Sequence, residues 1–99
     1  MGKSYETIIL IDNEKKDKIK ETIDKVVKII SNFKGEITKK DDIGNKKLAY
    51  PIKNKKEAYY YLLEYKLKQN ESIETLDKIE SEFKTIENIM KFLSIRIDE

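Results

Sequence analysis

No cysteine and no histidine occur in the 99 residues. Disulfides, thiol nucleophiles, Cys/His zinc sites, Cys–His dyads and the Ser-His-Asp triad are therefore excluded together. The absence of cysteine fits a reducing compartment. No apolar run approaches the ~18 residues of a membrane span, and the N-terminus lacks a signal-peptide core, so a soluble, cytoplasmic protein is expected. There is one proline, and of the 21 basic residues only Arg96 is an arginine. Charged residues make up 40% and hydrophobic ones 38%, so the core must be economical and the faces heavily solvated. The length suits a single domain over 1–99.

The net charge of +2 is too small to define a nucleic-acid binder, but its distribution is uneven. Seven lysines lie between Lys39 and Glu57 against three acids. Six acids lie between Asn70 and Asn88 against two lysines. One end is thus basic and one helix acidic, which orients a molecule in the field of a polyanion.

Tyr5 to Ile11 reads as a strand with apolar residues on both faces, hence central. Asp12 or Asn13 can cap the helix that follows, whose stripe is Ile19, Ile23, Val26, Val27, Ile30 and Phe33, and Gly35 stops it. Glu36–Ile43 reads as a weak edge strand. Gly44-Asn45 reads as a turn into Lys47–Ile52, an alternating segment that Pro51 confines to an edge. Asn54–Glu57 is a polar turn. Ala58–Leu67 is the strongest strand, and Asn70 or Ser72 caps a second helix with the stripe Ile73, Leu76, Ile79, Phe83 and Ile86. Asn88–Ile97 reads as the last strand, with Ile89, Lys91, Leu93, Ile95 and Ile97 on one face.

The order β-α-β-β-α-β, with two one-sided helices, implies an α+β ferredoxin-like split βαβ fold. Both helices cover one face of a four-stranded antiparallel sheet whose first and third strands are central. The other face would carry Ile8, Leu10, Tyr60 and Leu62, together with Met90 and Phe92. A wholly exposed cluster of that kind is unusual, so it reads as a protein-binding surface or a base-stacking platform, against a surface covered by lysine stems.

Lys46-Lys47-Leu48-Ala49-Tyr50-Pro51-Ile52 after Gly44, followed by Ala58-Tyr59, resembles the central signature of the bacterial small-subunit ribosomal protein six family. The family's usual form is Gly-x-Arg-x-Leu-Ala-Tyr-Pro-Ile, then Lys, a short gap and Gly-Tyr. Tyr5-Glu6 and Gly35 also fall at the family's places. Lysine replaces the usual arginines, and Ala58 stands where glycine is common, so contacts of point-charge type replace planar bidentate ones. The resemblance implies a structural protein of the small (30S) subunit. It would bind the central domain of 16S rRNA as a heterodimer with ribosomal protein eighteen. Lys3, Lys46, Lys47, Lys53, Lys55 and Lys56 would then meet phosphates, and Ile8, Leu10, Tyr50, Tyr60 and Leu62 the protein partner. Without the signature, the lysine run reads as a solvated face or an edge guard.

RNA-recognition domains share the topology and stack unpaired bases on first- and third-strand aromatics. Lys56-Glu57-Ala58-Tyr59-Tyr60-Tyr61 faintly resembles their third-strand motif, but the glycine after the basic residue is missing. Acylphosphatases share the fold as well, with a phosphate-binding loop arginine. Here the sole arginine lies in the last strand, so no enzyme, cofactor, metal or small-molecule substrate is expected.

Overall fold

The computed structural model describes residues 2–68 and 72–97. Six elements follow in order: β1 (Gly2–Ile11), α1 (Lys16–Asn32), β2 (Glu36–Ile52), β3 (Lys55–Lys68), α2 (Ser72–Phe83) and β4 (Ile89–Arg96). The sheet order is β2-β3-β1-β4, and every pairing is antiparallel. The expected ferredoxin-like arrangement is therefore what forms, with β1 and β3 central and the proline-bearing β2 at an edge.

Burial alternates along the central strands as their period of two requires. Tyr5, Thr7, Ile9 and Ile11 of β1 and Tyr61, Leu63, Tyr65 and Leu67 of β3 are buried, and their neighbours are half-buried or exposed. They form one core with Ile19, Val26 and Ile30 of α1 and Ile79 and Phe83 of α2. Ile23, Val27 and Leu76 pack on its border. Both helices thus lie on one side of the sheet.

Several local expectations are corrected. The cap of α1 is Lys15, which makes no side-chain capping bond. Asp12 instead accepts the Glu14 N–H at 3.0 Å, a turn just upstream of the helix. At the other end, Gly35 is not the left-handed residue; Lys34 is, with φ 62°. Lys34 N–H donates to Ser31 O and Gly35 N–H to Ile30 O, the paired bonds of a Schellman closure. Asn70 lies outside the described residues. Ile73 belongs to no buried stripe: at 67% exposure it stands in solvent at the start of α2.

The largest correction concerns β2. Gly44-Asn45 is not a turn but a paired part of one continuous strand, just after an irregularity that skips Ile43 between the Asp42–Tyr61 and Gly44–Tyr60 pairs. Gly44 has φ 95°, which few side chains tolerate. The reversal falls later, at Lys53-Asn54, where φ values of 51° and 65° suit a two-residue hairpin turn. Lys55, Lys56 and Glu57 accordingly belong to β3 and not to a loop.

In β4 the register slips between Leu10–Lys91 and Ile11–Ile89, leaving Met90 as an extra residue. This bulge breaks the simple alternation. Ile89 is buried, and Phe92, opposite Ile9, packs edge-on against Phe83 at 5.5 Å. Phe92 therefore belongs to the helix side. Leu93 and Ile95 take the open face, opposite Ile8 and Glu6.

Candidate nucleic-acid and protein interface

The four-stranded part of the sheet ends where Ile11 meets Tyr59. Beyond it β2 and β3 continue as a two-stranded arm. Lys46 pairs with Ala58 and Lys47 with Glu57, and the next pair is Ile52 with Lys55. Residues 48–51 thus bulge out opposite Lys56 alone. Pro51 sits where a missing N–H breaks no regular ladder. Tyr50 in the same bulge is 71% exposed. A shallow groove of about 380 Å³ runs along this bulge, lined by Lys47, Leu48, Tyr50, Pro51 and Lys56 among others.

Lys46, Lys47, Lys53 and Lys56 are all exposed on this arm. None makes an ion pair among the described residues. Lys55 differs: its Nζ lies 3.0 Å from Glu14 Oε2 and 3.9 Å from Asp12 Oδ1. The hydrogen bond to Glu14, then the charges of Asp12 and Glu14, hold its ammonium above the usual lysine pKa. Lys3 does not join the cluster. It lies opposite Leu67 at the other end of β1, about 26 Å from Ile11 at the usual rise per residue.

The partner residues also divide. Ile8 faces Leu62 and Leu10 faces Tyr60, so these four form one patch on the open face, while Tyr50 stands apart on the arm. The register adds Leu93 (59% exposed) and Ile95 (47% exposed) to the patch. Strict alternation misses them, because the bulge at Met90 reverses the parity of β4. Glu6 and Glu64 lie side by side next to the patch, and Lys39 pairs with Glu64 at 3.6 Å. At the junction of arm and sheet, the Tyr59 hydroxyl donates to Asp42. That bond is the main reason its phenol is held above the usual range.

Among the described residues no group of acidic side chains is placed to hold a metal ion. What fold and surface define is a ferredoxin-like sheet with helices on one face, an apolar patch on the other and a basic arm at its edge. The ribosomal protein S6 family model matches residues 4–96, and the chain belongs to that family. It is similar to the small ribosomal subunit protein bS6 of Flavobacterium johnsoniae, at 34% identity over 96% of this chain and 81% of that one. The bS6 of Caldanaerobacter subterraneus subsp. tengcongensis is 32% identical over 98% of this chain and 99% of that one. The crystal structure of 30S ribosomal protein S6 from Thermotoga maritima shares the fold, with a TM-score of 0.88 at 24% identity, covering 98% and 89% of the two chains. Family membership makes this chain a structural component of the bacterial small ribosomal subunit and not an enzyme. Its place is in the cytoplasm, within the ribosome.

Proposed function

We propose that this chain binds the central domain of 16S rRNA jointly with ribosomal protein eighteen. The arm lies against phosphates, and the open sheet face lies against the protein. The observation that carries this reading is the arm itself, which holds Lys46, Lys47, Lys53 and Lys56 exposed beyond the sheet. Lysine contacts of this kind neutralise phosphates and release counterions without reading bases. Two modest surfaces used together bind more tightly than either alone. The open face suits a protein better than a run of stacked bases, since its patch is Ile8, Leu10, Leu62, Leu93 and Ile95 with Tyr60 as its aromatic.

The test is a filter-binding salt titration of the protein pair on a central-domain transcript. Lys46→Ala with Lys47→Ala lowers affinity and makes the slope of log affinity against log salt shallower by roughly 0.7–0.9 per lost contact. Superimposed curves for wild type and double variant would reduce these lysines to edge guards.

A further inference from the structure

Beyond the Asn45–Tyr59 pair the arm's strands pair only with each other, and their ladder is interrupted by the bulge at residues 48–51. A free-standing two-stranded ribbon is marginal in water. Among the described residues two side-chain ties join this arm to the rest of the molecule, and both end on the turn between β1 and α1. At its base, Asn13 Nδ2 donates to Asn45 Oδ1 at 3.1 Å. Near its tip, one residue past the hairpin turn, Lys55 reaches Glu14 and Asp12. The receiving turn is itself held: Asp12 accepts the Glu14 N–H, and Asp12 N–H donates to Asn88 O at 2.9 Å.

We infer that Lys55 is a strut that fixes the angle of the basic arm, a positioning residue and not a phosphate contact. Its charge is met by two carboxylates, so the trio of Lys55, Glu14 and Asp12 carries a net negative charge. A phosphate brought there must break the pair and approach Glu14 and Asp12 as well. Lys53 and Lys56, its near neighbours on the arm, have no carboxylate partner among the described residues. The inference rests on the arm being the RNA-facing surface, and it gives Glu14, an acid, a positive part in binding a polyanion.

Lys55→Gln and Glu14→Gln, each in the full chain, separate the two roles. Both positions are on the surface, so global folding is not at stake. Without RNA, hydrogen exchange of arm amides from Lys46 to Glu57 is expected to quicken by about two- to five-fold in either variant, the scale of one exposed ion pair. With ribosomal protein eighteen and the central-domain transcript, both variants are expected to lose affinity by about the same two- to five-fold, with the salt slope unchanged. Unaltered exchange in both variants would overturn the strut. So would tighter RNA binding by Glu14→Gln, or a slope made shallower by about 0.7–0.9 in Lys55→Gln, the mark of a lost phosphate contact. The Lys46/Lys47 double variant keeps the two questions apart. If it leaves RNA affinity untouched, the arm is not the RNA surface, while exchange still decides whether Lys55 holds it.

Discussion

Thr7 sits in the middle of β1, fully buried between Tyr5 and Ile9, where an unpaired hydroxyl would be costly. It is not unpaired. Its Oγ1 lies 2.7 Å from the Tyr65 hydroxyl and 2.8 Å from Ser94 Oγ, a chain of three hydroxyls across β3, β1 and β4. Strand period places Thr7 on the core face from sequence alone. Its partners lie 58 and 87 positions away, so no local pattern announces them. Thr7→Val removes the middle of the chain and takes one partner from the buried Tyr65 hydroxyl and one from the half-buried Ser94 hydroxyl. Urea unfolding is expected to show a loss of about 1–3 kcal/mol. Tyr65 also sets a pH dependence. Burial, above all, pushes its phenol above the ordinary value of 10.0, so folding favours the neutral form. That stability is fully present below the ordinary value and is lost as pH rises through the folded one. Tyr59 and Tyr61 are shifted the same way and share the loss. Stability measured against pH therefore falls on the alkaline side, and Tyr65→Phe makes that fall shallower.

The C-terminus of α1 shows how element boundaries resist reading. A glycine three residues past the last helical residue looks like the residue that turns the chain, but the left-handed conformation belongs to Lys34. Gly35 is needed for space. A Cβ there would lie 2.6 Å from Ile30 Cγ2 and 3.3 Å from Leu67 Cδ2. The two positions respond oppositely in thermal unfolding. Lys34→Gly relieves a backbone cost and raises stability by about 0.5–1 kcal/mol, while Gly35→Ala crowds the helix against β3 and lowers it by about 1–3 kcal/mol. The apolar stripes of both helices were legible because burial enforces their spacing. Ile73 misled because it continues the spacing of α2 one turn past the edge of the core. In β2 the alternation on either side of Gly44 was legible as strand. That the two segments are one strand was not, since irregular pairing leaves no periodic mark.

At the scale of the molecule, element order and one-sided helices were enough to specify the sheet, its central strands and its open face. The lysines of the arm were also legible, as chemistry in a row. Which of them act together was not. Topology sends Lys3 to the far end of β1 and ties Lys55 to the β1–α1 turn, and neither follows from sequence proximity. Strict alternation groups Leu93 with Ile89, although the two face opposite ways once the bulge is counted. Because Leu93 is already in solvent, Leu93→Ser is expected to change folding stability by less than about 0.5 kcal/mol. If the open face seats ribosomal protein eighteen, calorimetry of the pair should register a loss of about 1 kcal/mol or more. Unchanged affinity would move the protein interface off this face.

Met90 has a consequence for chain length. It is the one residue of the β1–β4 ladder with no opposite number, since Ile11 faces Ile89 and Leu10 faces Lys91. Removing it would leave both of those pairs in place, and every side chain from Lys91 onward on its present face. Removing Leu93 or Ser94 instead would send each later residue of β4 to the wrong side of the sheet. The strand thus has a single position at which the chain can be shortened without inverting it. What a shortened strand would lose is local twist, leaving the Leu93–Ile95 edge straighter and better shaped for stacking into fibrils.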